Sequence, residues 1–188
     1  MMKKVLINQR DRCEGIGEIP NTLLHYIKRA LIIFVLIVTI CSLIPIRVLL
    51  ASDHRTGEYL KAWVIKQGEK FDVEYTHSVQ LTPVIEIYSV DQEDNILLEE
   101  SYFYSYGAGL PSTTPYDFEI TKKGFRIYNI NEIMDNLIYR TGGVRAEHRI
   151  NISGKTYSFL DFSKARTGVK FTVKKLSLLS YIAKEVSR

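Results

Sequence analysis

The sequence predicts a mainly β protein, an antiparallel β-sandwich or partly open barrel preceded by one N-terminal transmembrane helix. Three observations predict this class. From Tyr59 onward, short segments of alternating apolar and polar residues recur, separated by Gly-, Pro- or Asp-containing turns. Ala30 to Ile44 is a run of apolar or small residues whose polar members are only Thr39 and Ser42. Finally, the only cysteines, Cys13 and Cys41, precede the β region. No disulfide framework can hold that region, so its own apolar core must.

The elements follow in order. Residues 1–29 form a polar, mixed-charge tail, read as cytoplasmic. Residues 30–50 are assigned to the transmembrane helix, because a bilayer core asks for roughly 20 such residues. Lys28 and Arg29 abut its start and Lys3, Lys4, Arg10 and Arg12 lie upstream, which favours a cytoplasmic N-terminus. Arg47, Arg55, Lys61 and Lys66 on the far side reduce the contrast. Leu49-Leu50-Ala51 lacks the paired small residues of a cleavage site, so the segment reads as a signal anchor in the cell membrane. Residues 51–58 are a linker, and residues 59–188 are the extracytoplasmic β-domain.

Within that domain, strands are expected at 59–65, 71–79, 84–90 and 96–105, an antiparallel meander. The first turns are Lys66-Gln67-Gly68-Glu69, Gln80-Leu81-Thr82-Pro83 and Asp91-Gln92-Glu93-Asp94-Asn95. Further strands are expected at 118–121, 125–128, 148–152, 155–160 and 169–176. Ile130, Ile133, Met134, Leu137 and Ile138 recur at helical spacing. That stretch is read as a helix capped by Asn129 or Asn131, or as a helical turn leading into a strand at 137–141. Leu178 to Val186 reads as a short amphipathic helix.

Charge is unevenly spread. From Ala51 to Glu119 there are four Lys or Arg against thirteen Asp or Glu, and from Ile120 onward fourteen against five. Complementary faces within one fold explain this, as does a basic surface for an anionic ligand, lipid headgroups or an acidic partner. No nucleic-acid recognition motif is present, so nucleic acid is excluded as a partner. His54, His77, His148 and the nearby acids show no ligand spacing, so neither a metal nor a cofactor is expected.

The residues with chemistry lie between Tyr75 and Pro111 and again near His148. His77 and Glu86 both fall on the apolar face of their strands, and a four-residue hairpin loop sets them opposite each other as a polar pair. A carboxylate beside an imidazole favours the charged ring and fixes its tautomer, although such a pair also serves simply to pin strand register. Ser78 points to the other face and lacks a nucleophile elbow. Gly107, Gly109 and Pro111 form a candidate loop for an anion, but no helix N-terminus follows it. Arg145, His148 and Arg149 form a basic cluster suited to a carboxylate.

Three spaced elements, Tyr75-Thr76-His77-Ser78-Val79, Pro83-Val84-x-Glu86 and Gly107-Ala108-Gly109-Leu110-Pro111, resemble the domain-of-unknown-function family DUF1850. Leu137-Ile138-Tyr139-Arg140-Thr141-Gly142 with His148-Arg149-Ile150 is similar to a second block of that family. The likeness covers roughly Lys70 to Val173. It implies context more than chemistry. Members are short bacterial and archaeal proteins, often with an N-terminal membrane segment, typically encoded beside TRAP-type transporters of the TAXI class. Those transporters take up small organic anions with an extracytoplasmic binding protein. The family has no established catalytic residues to carry over.

The leading expectation is therefore a membrane-anchored extracytoplasmic module accessory to TRAP-type uptake, contacting transporter subunits or a small organic anion. Two alternatives stand beside it. One is a hydrolase or isomerase with His77 as general base oriented by Glu86. The other is a purely structural envelope domain.

Overall fold

The computed structural model describes residues 20–105, 113–122, 124–143 and 146–187. They fall into two units, Met1–Ile40 and Cys41–Arg188. The first is dominated by helix α1 (Asn21–Leu43), which is 23 residues long. At 1.5 Å per residue it measures about 34 Å, slightly more than the ~30 Å hydrocarbon core of a bilayer. It is compatible with a membrane anchor and equally with a signal sequence.

The helix lies upstream of its expected bounds of 30–50. It ends before Pro45, which has no N–H to donate and whose ring clashes with the carbonyl four residues back. The residues expected to complete the helix instead open strand β1 (Pro45–Asp53). The expected linker 51–58 thus begins inside a strand. β1 is set by long-range pairing: all nine residues face β12 (Gly168–Ser177), from Pro45↔Ser177 to Asp53↔Val169.

The remaining strands are β2 (Tyr59–Val64), β3 (Lys70–Thr76), β4 (Pro83–Val90), β5 (Ile96–Phe103), β6 (Asp117–Thr121), β7 (Gly124–Tyr128), β8 (Glu132–Ile133), β9 (Leu137–Arg140), β10 (Arg149–Ile152) and β11 (Lys155–Ser158). A 3-10 turn (Phe159–Asp161) and helix α2 (Leu178–Val186) complete the chain. One sheet has the order β2-β1-β12-β9. The other runs β11-β10-β3-β4-β5-β7-β6, with β8 also on β5. The paired strands are antiparallel, and the two sheets are not closed into a barrel.

Of the two readings of Ile130 to Ile138, the helix is absent, whereas the strand expected at 137–141 forms as β9, preceded by the short β8. Asn129 (φ 58°) and Asn131 (φ 51°) adopt left-handed backbone conformations that do not open a right-handed helix. The expected α2 forms as read, with the Ser177 hydroxyl accepting the Ser180 N–H at 3.2 Å as its N-cap.

The core lies between the sheets. Leu49, Trp63 and Phe171 of one sheet belong to the same buried cluster as Phe71, Tyr88 and Ile150 of the other, with Phe159 and Phe162 alongside. Full burial of each such side chain contributes roughly 1.5–3 kcal/mol. A smaller cluster of Val84, Phe103, Phe125, Ile127 and Ile130 extends the core beneath β5 and β7.

A partly buried ion network ties the sheets at one end. Arg47 of β1 lies directly opposite Lys175 of β12, an arrangement of like charges that destabilises a strand pair. Asp94, from the β4–β5 turn of the other sheet, resolves it by pairing with Arg47 at 2.5 Å and Lys175 at 3.2 Å. Asp94→Ala is expected to lower unfolding free energy by about 1–3 kcal/mol, between the values for exposed and buried pairs. Lys175→Ala, whose side chain is 60% exposed, should cost under about 1 kcal/mol. Chemical denaturation followed through Trp63, the only tryptophan, checks both.

Candidate functional site

β4 carries Val84, Glu86, Tyr88 and Val90 along its core-facing side, as its alternation requires. Glu86 is therefore a carboxyl at a position where a sandwich core takes an apolar residue. Beside it the β4–β5 ladder shifts register between Ile87 and Tyr88, a bulge of the kind that re-aims side chains.

The partner of Glu86 is not His77. The β3–β4 register pairs Val73 with Glu86 and Thr76 with Pro83. His77 falls four residues further along, about 13 Å of strand. The connection is six residues, 77–82, and not the four-residue hairpin loop expected. His77 builds this turn. Its N–H donates to the Thr82 carbonyl and its own carbonyl accepts the Leu81 N–H, both at 2.9 Å. Its Nδ1 accepts the N–H groups of Val79 at 3.4 Å and Gln80 at 3.2 Å. The imidazole thus does locally what an Asx side chain does in a turn. The hydrolase or isomerase reading loses the base–orienter pair on which it stood.

The groups that reach Glu86 are tyrosines. Tyr139, on β9 of the opposite sheet, donates its hydroxyl to Glu86 Oε2. Tyr88, two residues along β4, lies 2.6 Å from the Tyr139 hydroxyl and 3.3 Å from Glu86 Oε2. Each phenol has one proton to give. The arrangement that uses both donates Tyr88 to Tyr139 and Tyr139 to Glu86, a relay crossing the sandwich. Burial raises the Glu86 pKa, and the two phenol hydrogen bonds offset this only in part. Burial, reinforced by the Glu86 charge, pushes the Tyr75 phenol up to about 12. Tyr88 and Tyr139 are raised well above the ordinary phenol value, each chiefly by burial.

His148 stands on the same aromatic wall. Its ring stacks on Tyr75 at 5.3 Å and meets the edge of Tyr139 at 5.9 Å and the Phe159 ring at 5.4 Å. Nδ1 accepts the Gly142 N–H at 3.3 Å, so a neutral ring carries its proton on Nε2. Burial lowers its pKa, which suits the neutral form. Gly142 is required by close approach: a Cβ there would lie 2.6 Å from the Ala146 Cβ.

His148 and Arg149 do not form the expected basic cluster. His148 is buried, whereas Arg149 is exposed at the start of β10 and pairs with Glu147 at 3.0 Å. Adjacent residues in extended backbone point to opposite faces. Arg145, and the candidate loop residues Gly107, Gly109 and Pro111, lie outside the described residues.

The segments flanking those positions nevertheless meet at one end of the sandwich. Thr76 donates its N–H to Ala146 at 2.8 Å, and the Thr82 and Ser105 hydroxyls lie 3.0 Å apart. The β3–β4 turn, the segment leaving β5 and the β9–β10 connection therefore share one edge, with Tyr75, Glu86, Tyr139 and His148 beneath. Sequence reasoning missed Tyr75, Tyr88 and Tyr139 as site residues. Tyr88, two positions from Glu86 on the same face, was the available signal.

Residues 71–159 match the model of a protein family described as Domain of unknown function (DUF1850). This stretch contains every member of the Glu86, tyrosine and His148 cluster. No curated protein and no solved structure matches the chain.

The opposed pKa shifts predict a signed pH dependence. Burial holds the folded-state pKa of Glu86 above the ordinary glutamate value of 4.5. Its contribution to stability is complete below that value and is lost as pH rises toward the folded pKa. His148, lowered from 6.5, contributes stability above that value and loses it as pH falls toward its folded pKa. Glu86→Gln cannot ionise, so its urea midpoint relative to wild type should climb as pH rises above 4.5. A difference independent of pH would show that Glu86 does not titrate differently on folding.

Proposed function

We propose that this DUF1850 domain is the outer, ligand- or partner-binding part of a membrane-anchored module that assists TRAP-type uptake of small organic anions. The anchor is α1, with the N-terminus in the cytoplasm and the β-domain outside. The single observation that carries the reading is that the β3–β4 turn, the end of β5 at Ser105 and the β9–β10 connection at Ala146 meet at one sandwich edge over a polar interior. Loops grouped at one end of a β-sandwich are the part of that architecture free to vary toward binding.

Placement along the strands favours the same view. That edge lies by the Asp53–Gly168 end of the β1–β12 pair, since Tyr139 pairs with Val169 and Val169 with Asp53. The strand enters at Pro45, so the edge stands roughly 30 Å of strand away from Ile44. A module held by its entry end presents such an edge outward. Beneath the edge, Glu86 and the phenols are engaged with one another, and the cluster offers no activated nucleophile for hydrolysis among the described residues. The transport context comes from the family resemblance.

Val79, in the β3–β4 turn and 75% exposed, is the natural place for a photo-cross-linker. In native membranes a Val79→benzoylphenylalanine chain is expected to capture a TRAP transporter subunit or its binding protein, identified by mass spectrometry. Folded, membrane-inserted chain that captures neither, with or without organic anion substrates, would sink the proposal.

A further inference from the structure

We infer that α2 is an interfacial helix that rests on the lipid surface of the membrane entered by α1, with Leu179, Ile182 and Val186 toward the acyl chains. The inference rests on the reading of α1 as an anchor.

α2 turns one side to the fold and a second, apolar side away from it. On the used face, Glu185 accepts the Tyr59 hydroxyl and the Ala62 N–H of edge strand β2, the latter at 3.3 Å, and pairs with Lys61 at 3.5 Å. Tyr181, one turn earlier, shares that side of the helix. This docking also shields part of the backbone edge of β2. On the other face, Leu179, Ile182 and Val186 recur at i, i+3 and i+7, a continuous stripe. Ile182 is 45% and Val186 81% exposed. A nine-residue helix that turned this face to water would spend its apolar surface without return.

Chain geometry says what covers it. The Leu178 N–H, the first of α2, donates to the Ile44 carbonyl at 2.9 Å. Ile44 directly follows Leu43, the last residue of α1. The start of α2 is therefore one hydrogen bond from the point where the chain leaves the apolar helix, and the whole helix is only about 13 Å long. Leu43 and Ile44 are themselves 75% and 41% exposed, which extends the apolar surface to that point.

The charges around α2 agree with a lipid headgroup layer. Lys174 and Lys175 precede the helix and are exposed, Lys175 also pairing with Asp94, and Lys184 is exposed within it, with its ammonium 5.0 Å from the Tyr59 ring. The helix's only acid, Glu185, is directed at β2. Lysines flanking an apolar stripe place their ammonium groups among phosphates while the stripe reaches the acyl boundary. Neither a second copy nor a transporter subunit has a comparable claim, since only a membrane is guaranteed at Ile44 when α1 inserts.

The test uses the full chain with Cys13 and Cys41 replaced by Ser, reconstituted into phosphatidylcholine–phosphatidylglycerol vesicles. Single cysteines at Ile182, Val186, Leu36 or Ser153 carry an environment-sensitive fluorophore. The expected result is a blue-shifted emission at Ile182→Cys and Val186→Cys, quenched several-fold more by nitroxide-bearing lipid than at Ser153→Cys, in the exposed β10–β11 turn. Leu36→Cys reports on the anchor independently. If it is quenched while positions 182 and 186 behave like position 153, the interfacial helix is wrong and the anchor stands. If position 36 is unquenched, both readings fall. Disulfide-linked dimers through Ile182→Cys in place of lipid quenching would assign the stripe to a second copy and overturn the inference.

Discussion

The sandwich depends at one end on a carboxyl held between its sheets. Glu86 belongs to β4 and Tyr139 to β9, so their hydrogen bond spans the core, and Tyr88 joins it at 2.6 Å from the Tyr139 hydroxyl. A buried carboxyl without partners is expensive, which explains why its proton is held more tightly than usual. Two phenols reduce that cost and fix the carboxyl in one orientation. They also fix β9 over β4, and through β9 the segment that carries Gly142 and His148. An apolar residue at position 86 would fill the space without setting that direction.

The opposite end of the same strands is organised by a different device. There Asp94 crosses between the sheets to neutralise Arg47 and Lys175, which the β1–β12 register sets face to face. Partly exposed ions suffice where water is near, whereas the interior end uses a carboxyl and two phenols joined by hydrogen bonds. The domain thus has an ionic end at the chain entry and a phenol–carboxyl end beneath the motif segments. Stability of the two ends should respond differently to salt, since screening weakens exposed charges far more than buried hydrogen bonds.

Much of the fold was legible in the residues. Strand positions followed from period-two alternation, turns from Gly, Pro and Asp clusters, and α2 from its amphipathic spacing. The misreadings share a cause. Residues 45–50 looked like the end of an apolar helix because hydropathy does not distinguish a membrane span from a buried strand. The helical reading of Ile130 to Ile138 failed because apolar spacing carries no information about two left-handed asparagines, whereas the alternative strand at 137–141 formed as β9. Each was decided by partners distant in sequence, β12 in the first case and β5 and β12 in the second.

The candidate site divides in the same way. Side-chain alternation by itself determined that Glu86 faces the core, because a strand's period of two survives any even change of register. The true register differs from the simplest hairpin by four residues, so every face was preserved while every pairing changed. Which group meets Glu86 therefore could not be read locally. It is Tyr139, fifty-three residues away, brought there by the packing of one sheet on the other. His77, adjacent on paper, is spent on its own turn. The sequence alone determined a β-domain after an apolar helix, with a carboxyl inside. Only the tertiary structure decided what that carboxyl touches, because sheet-on-sheet contacts are set by side chains that no local pattern brings together.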